Sequence, residues 1–177
     1  MNARFHPLPS HPTPPWAALL LALAATLPAQ ADERQLLPAN TPNAYTQECG
    51  SCHTAYPPGM LPAPSWKRVM SGLDTHYGTT DASLDPKTVR QLAAWLQAHA
   101  GTYKRVSEEP PQDRITQALW FKREHRGIDA SVWKHASVRS AAHCAACHSG
   151  ADRGSFDERG LRLPAGLDQR YRRAWQD

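Results

Sequence analysis

Residues 49–53 read Cys49-Gly-Ser-Cys52-His53, and residues 144–148 read Cys144-Ala-Ala-Cys147-His148. These two pentapeptides contain all four cysteines of the chain. Cys-x-x-Cys-His is the attachment signature of c-type haem. Two thiols one helical turn apart can add across the two vinyl groups of the porphyrin, and the adjacent histidine then lies under the iron as an axial ligand. We therefore predict two covalently bound haem c groups, with His53 and His148 as their proximal ligands.

Other uses of paired cysteines fit the pattern less well. A zinc site built from all four cysteines explains the spacing, but it does not explain a histidine directly after each second cysteine. A redox-active dithiol of the thioredoxin type needs a βαβ setting, which the sequence does not show. Haem also explains how two short helical segments could be stable, because a covalently held macrocycle supplies apolar core that such segments lack.

The first 31 residues have the features of a signal peptide. The run from Trp16 to Leu27 is apolar and uncharged, and Ala29-Gln-Ala31 is a small-residue cleavage signature. A run this short cannot span a bilayer core of about 30 Å as a helix. We expect cleavage after Ala31 and export to the periplasm by the general secretory route, since no twin-arginine signal is present. The alternative is that this segment stays uncleaved and anchors the protein in the membrane. After cleavage, we expect the mature protein not to be embedded in the membrane.

Composition and breaks in the pattern indicate the organisation of the rest. Apolar residues make up 41% of the chain, which excludes a disordered composition. The net charge of +4 is too small to predict nucleic-acid binding. Residues 108–114 are charged and contain two consecutive prolines, so they read as a linker. We expect a haem-binding segment on each side of it, at residues 32–107 and 115–177.

Helical periodicity dominates, and no segment alternates as a strand would. We therefore predict a mainly α fold of short helices and long irregular loops around the two haems. The predicted helical stretches are residues 42–52 with Thr41 as N-cap, a helix opened by Ser65, residues 86–100 between Asp85 and Gly101, residues 115–126 closed by Gly127, a short helix from Asp129 to Trp133, and residues 140–148.

The second axial ligand of each iron decides the chemistry, because an open position allows ligand binding or catalysis and a filled one favours electron transfer. His76 continues the apolar helix stripe of Val69 and Leu73, which places it well to fold over the first haem. His125 follows Phe121 by four residues on the inner face of its predicted helix. Both could instead be structural core histidines.

Other side chains compete for the same positions. His135 is the main competitor of His125 for the second haem. His143 shares the predicted helical turn of Cys147 and cannot cap its own haem, while His99, near a helix C-terminus, is expected to be solvated. Met60 and Met70 are expected to pack in the core.

Several stretches resemble the small periplasmic dihaem cytochromes c of proteobacteria. They are Glu48 to Trp66 with its Tyr-Pro-Pro-Gly motif, Met70-Ser-Gly-Leu-Asp-Thr-His76-Tyr-Gly, Trp120-Phe-Lys-Arg-Glu-His125-Arg, and Cys-Ala-Ala-Cys-His148 with Phe156-Asp-Glu. The resemblance covers nearly the whole expected mature chain. It implies two low-spin haems with two histidine ligands each, His53 with His76 and His148 with His125. The chain differs in an added basic tail from Ala165 to Asp177.

The resemblance implies an electron-transfer protein and not an enzyme, with a membrane cytochrome b as donor and a small soluble haem protein as acceptor. We expect a monomer. The alternatives are the electron-entry subunit of a periplasmic reductase, a peroxidase-like dihaem enzyme, and a gas-binding haem protein with one open position. Basic residues flank His125 and crowd the tail, and they are candidates for docking or simply solvated: Lys122, Arg123, Arg126, Arg170, Arg172 and Arg173.

Overall fold

The computed structural model describes residues 36–78, 80–101, 106, 108–168 and 171. The predicted signal peptide and the arginines of the tail lie outside these described residues. From residue 36 onward, the described residues belong to one compact unit. None of the helices in these ranges is long and apolar enough to cross a membrane.

Five short α-helices and a series of single 3₁₀ turns make up the regular structure of the described residues. The helices are α1 (Asn43–Gly50), α2 (Ala63–Ser71), α3 (Pro86–Ala98), α4 (Leu119–Glu124) and α5 (Ala130–Lys134). The described ranges contain no β-strand, only two isolated bridges, His76 with Thr80 and His148 with Leu161. The prediction of a mainly α fold with irregular connections is confirmed.

Helix α3 follows its sequence signals closely. The Asp85 carboxylate accepts hydrogen bonds from the backbone N–H of Lys87 at 2.9 Å and of Thr88 at 3.0 Å, so it caps the helix as predicted. Leu92 and Leu96 are fully buried on one face. They pack with Tyr45 of α1 and with Trp66 and Met70 of α2, and this cluster is the largest apolar core of the described residues.

Two predicted helix starts are displaced. Helix α1 begins at Asn43, and Pro42, not Thr41, is its N-cap residue. Helix α2 begins at Ala63 after Pro62. Ser65 therefore lies inside the first turn of α2, where it is fully buried instead of capping. Pro64 is the second residue of α2, a position where the fixed φ of proline is helical and its missing N–H leaves no helical hydrogen bond unmade.

The predicted continuous helix over residues 115–126 is wrong. A 3₁₀ turn covers Ile115–Gln117, Ala118 is extended with ψ 142°, and α4 starts at Leu119. The break has a partner, because the N–H of Leu119 donates to the Glu108 carboxylate at 2.6 Å. Helix α4 ends before Gly127, with His125 as its C-cap residue.

The predicted helix over residues 140–148 is also wrong. Only the 3₁₀ turn Cys144–Ala146 forms there. Arg139 has a φ of 70°, in the left-handed region that a right-handed helix does not use. The short α5 is capped by Asp129 as predicted, through a hydrogen bond from the N–H of Ser131 at 2.8 Å.

The segment 108–114 is tied to α2. The Arg68 guanidinium contacts Glu109 at 2.5 Å and Asp113 at 2.6 Å. Past this segment, the indole N–H of Trp120 donates to the Met60 carbonyl at 3.3 Å, and both side chains belong to one buried cluster. The assignment of one haem to each side of the linker stays a prediction.

Candidate haem-binding sites

The first Cys-x-x-Cys-His motif lies at the end of α1. Cys49 is in the last turn of the helix, and Cys52 and His53 follow it directly. The His53 ring donates from Nδ1 to the Thr54 carbonyl at 2.7 Å. Since a carbonyl oxygen can only accept, the proton is on Nδ1 and the lone pair lies on Nε2, the tautomer that a metal-binding histidine uses.

His76 faces His53 across this site. It follows the 3₁₀ turn Leu73–Thr75, and a bridge to Thr80 shapes the loop around it. The ring centres of His53 and His76 are 6.3 Å apart, and the ring planes are within 14° of parallel. The pKa of His76 is lowered by burial, and further by His53 and Arg114, so the ring stays neutral at physiological pH.

The second motif forms an equivalent pair with His125. The ring centres of His125 and His148 are 6.2 Å apart, with an angle of 75° between their planes. His125, at the end of α4, donates from Nδ1 to the Phe121 carbonyl at 2.9 Å and stacks on the Phe121 ring at 4.0 Å. The Trp133 ring meets it edge-on at 5.8 Å.

Both separations fit an iron held between two imidazoles. With metal–nitrogen bonds of about 2 Å and about 1.1 Å from each nitrogen to its ring centre, the two ring centres would lie about 6.2 Å apart. His53 with His76 and His148 with His125 have this spacing. The four histidines singled out from the sequence are therefore brought together in the two pairs that the resemblance implied.

The second site is the more deeply buried. Burial lowers the pKa of His148 to about 4, with a further contribution from His125, so this ring is also neutral. Its Nδ1 atom is buried and has no hydrogen-bond partner among the described residues. The proximal ring of the first site, by contrast, is exposed and has its Nδ1 bonded. The two sites thus differ in burial, in ring orientation and in hydrogen bonding.

The cysteine thiols do not have the electrostatics of a catalytic dithiol. Burial raises the pKa of Cys49 to about 11 and that of Cys144 to about 12, and it also raises the pKa of Cys147. A reactive dithiol instead needs a lowered thiol pKa. Over the described ranges, no group of three or more His, Cys, Asp or Glu side chains is arranged to hold a metal ion.

A cavity of about 830 Å³ adjoins the first histidine pair. Its lining includes Cys49, Cys52, His53 and His76, and it extends to Cys144 of the second motif. The volume is within the range of about 300–1,000 Å³ typical of cofactor sites. Apolar side chains such as Leu61 and Trp66 line it as well. An attachment segment, a facing pair of histidines and an apolar wall are thus present together, as a covalently bound macrocycle requires.

The competing ligands are engaged elsewhere. His135 Nδ1 accepts from the Ser137 N–H at 3.3 Å and contacts the Ser137 hydroxyl at 2.8 Å, which leaves the proton on Nε2. The His99 ring packs against the Trp95 ring at 5.3 Å, and the Nε2 of His143 contacts the Arg139 guanidinium at 3.4 Å. The two methionines are buried in apolar clusters, as expected: Met60 and Met70.

Two tyrosines contact the candidate axial ligands and were not identified from the sequence as site residues. The Tyr56 ring stacks on His53 with 4.9 Å between ring centres, and the Tyr77 ring meets His76 edge-on at 4.8 Å. Their closeness in sequence to the ligands, at three residues and one residue, was the only available signal. Closeness in sequence does not show whether a tyrosine ring contacts the histidine or points away from it, because these residues lie in irregular segments without a fixed periodicity.

Comparisons with known proteins agree on one family. The model of the dihaem cytochrome c family (DHC) matches residues 45–156, a range that contains both Cys-x-x-Cys-His motifs. The structure is similar to the dihaem cytochrome c of Rhodobacter sphaeroides, with 38% identity, a TM-score of 0.56 and coverage of 66% of this chain and 97% of that one. It is also similar to the dihaem cytochrome c of Shewanella baltica OS155, with 35% identity, a TM-score of 0.60 and coverage of 70% and 93%. Among curated proteins, no match is found.

These matches agree with the two motifs and the helical fold. Membership of the family implies two covalently bound haem c groups, and the cysteines at 49/52 and 144/147 fit the attachment motifs. The chain belongs to the dihaem cytochrome c family and is a haem-based redox protein.

Proposed function

We propose that this chain is a periplasmic electron-transfer protein in which both irons are held by two histidines, His53 with His76 and His148 with His125. The observation that carries the proposal is the spacing of both pairs, 6.3 and 6.2 Å between ring centres. Two filled axial positions suit outer-sphere electron transfer, since no substrate can reach the iron.

Haem, once bound, supplies the one-electron chemistry of iron. The chain's own residues then set its properties. The imidazoles would fill both axial positions. Backbone carbonyls orient His53 and His125 through Nδ1, and an aromatic ring lies against each of the four histidines. Two imidazoles lack the thioether of a His/Met site that raises the potential, so both reduction potentials should be lower than those of mitochondrial-type cytochromes c.

The alternative functions, a dihaem enzyme or a gas-binding protein, need an open axial position that the two histidine pairs do not favour. A peroxidase-like enzyme or a gas-binding protein requires one open or easily displaced axial position. In the described sites, each proximal histidine faces a second histidine at ligand distance. The electron-entry subunit of a reductase shares this chemistry, and co-purification with a catalytic partner would distinguish it from an independent carrier.

We propose that the redox partners dock near the second site. Lys122 and Arg126 are exposed beside His125, and Leu119 at the start of the same helix is 63% exposed. Arg123 contributes less net charge, because it contacts Glu124 at 3.3 Å. An apolar side chain among cations suits an acidic partner surface. The proposed donor is a membrane cytochrome b, the acceptor a small soluble haem protein, and the compartment the periplasm.

The test of the function is carbon monoxide binding by the reduced holoprotein. Two filled axial positions predict no carbon monoxide spectrum. Uptake of carbon monoxide by one or both haems at neutral pH would overturn the proposal in favour of a sensor or an enzyme.

The docking face has its own test with a matched control. The double variant Lys122→Glu/Arg126→Glu should slow electron exchange with an acidic haem protein and weaken its dependence on ionic strength. The double variant Lys87→Glu/Arg90→Glu makes the same charge change on exposed residues of α3. Equal effects of the two double variants would show that net charge matters and that the proposed face does not.

A further inference from the structure

Tyr56 lies against the proximal ligand of the first site. Its ring stacks on the His53 imidazole, with 4.9 Å between ring centres and 18° between planes. Its neighbours Ala55 and Pro57 are buried, and the Tyr45 hydroxyl donates to the Tyr56 carbonyl. Packing on both sides and this backbone contact fix the ring against the imidazole.

The other end of the same side chain reaches the second motif. The Tyr56 hydroxyl donates to the Ala142 carbonyl at 2.7 Å, two residues before the attachment residue Cys144. A carbonyl oxygen can only accept, so the Tyr56 hydroxyl is the donor in this hydrogen bond. Tyr56 and Cys144 also line the same cavity. One side chain therefore contacts a ligand of the first site and the backbone that carries the second.

We infer that Tyr56 is the positioning residue that couples the two redox centres, through its stacking on His53 and its hydrogen bond to Ala142. With both haems bound, one electron would pass from one centre to the other, and no bond would form or break. Tyr56 is not itself oxidised; it provides a contact path between the centres and fixes their separation. Electronic coupling is stronger through atoms in contact than across a gap, so losing the hydrogen bond should slow the exchange. The inference rests on the proposed electron-transfer function.

The chain offers a matched control in Tyr77. Its ring contacts the other ligand of the same site, His76, at 4.8 Å. Its hydroxyl likewise donates to a backbone carbonyl, that of Asp113 at 2.9 Å, but this segment carries no attachment cysteine. Tyr56→Phe and Tyr77→Phe therefore remove the same group at the same site, and only the first removes a link to the second motif.

The experiment measures intramolecular electron exchange in the half-reduced holoprotein. Shifted haem-methyl NMR signals report the exchange rate between the two one-electron forms, and a rate independent of protein concentration identifies the intramolecular part. Tyr56→Phe should slow this exchange several-fold, Tyr56→Leu should slow it at least as much, and Tyr77→Phe should leave it unchanged. Low-spin EPR signals should stay the same in both phenylalanine variants.

Three results would overturn the inference. They are an unchanged rate in Tyr56→Phe, an equal slowing in Tyr77→Phe, and a slowing accompanied by altered axial EPR signals, which would show a purely structural role. If Tyr56→Leu does not mature, the isosteric phenylalanine variant alone decides. Failure of the proposed function looks different, since it would appear in the wild-type protein as carbon monoxide binding by the reduced haems.

Discussion

Replacing His125 by alanine should open one iron and leave the other closed. His125 is the ring that faces His148 at 6.2 Å, and its substitution removes one of the two imidazoles of that pair. Attachment should be intact, because the thioether bonds to Cys144 and Cys147 are not touched. The expected magnitude is fixed by the count of irons: the reduced variant should bind one carbon monoxide per chain, which is half of its haem.

The control variant is His135→Ala. His135 was the competing ligand from the sequence, but its Nδ1 accepts from the Ser137 N–H, so its Nε2 carries the proton. This variant should bind no carbon monoxide, and both of its irons should stay low spin. Titration of the absorbance change with carbon monoxide, against total haem determined after denaturation, gives the stoichiometry for each variant. If His125→Ala stays fully low spin while His135→Ala takes up carbon monoxide, the ligand assignment at the second site is refuted.

Three further outcomes follow from the structure. The second haem should have the higher reduction potential, because its site is more buried and the Nδ1 of His148 lacks a hydrogen bond that would make the imidazole a stronger electron donor. In a redox titration followed by EPR, the ferric signal of the second haem should disappear first, and the opposite order would contradict this. Leu92→Ala should lower the free energy of unfolding by about 2–5 kcal/mol, since the side chain is fully buried in the main apolar cluster. Denaturant unfolding of the holoprotein measures this, and a change of only a few tenths of a kcal/mol would contradict the packing. The Arg68 hydrogen bonds lower the pKa of Asp113, so they stabilise the folded protein fully above the ordinary carboxyl pKa of 3.8, and this stabilisation is lost as the pH falls further. The free energy of unfolding of Arg68→Gln should therefore depend less on pH in that acid range, and identical acid-unfolding curves for the variant and the wild type would refute the link.

The sequence predicts those parts of the fold that depend on local signals. The capping of α3 follows from an aspartate directly before Pro86, and the buried face with Leu92 and Leu96 follows from periodicity, because this 13-residue helix repeats its pattern over several turns. The attachment motifs follow from covalent chemistry, and they leave little freedom in where Cys49 and Cys144 can lie.

The errors of prediction come from long-range contacts. The break at Ala118 depends on Glu108, whose carboxylate takes the N–H that a continuous helix would have used internally. The hydrogen bond of the Tyr56 hydroxyl was missed because its partner, Ala142, is 86 residues away in sequence. Propensity and periodicity contain no information on such partners, so these features appear only once the tertiary structure is known.

The EPR spectrum of the fully oxidised holoprotein tests the central claim, two irons with two histidines each, most directly. The account predicts two low-spin ferric signals of equal intensity and no high-spin signal. The signals should differ, since imidazole planes 14° apart favour a rhombic spectrum and planes 75° apart favour a strongly anisotropic one. A high-spin signal that accounts for one haem per chain would contradict the ligation of that iron by two histidines, and with it the electron-carrier function proposed for the chain.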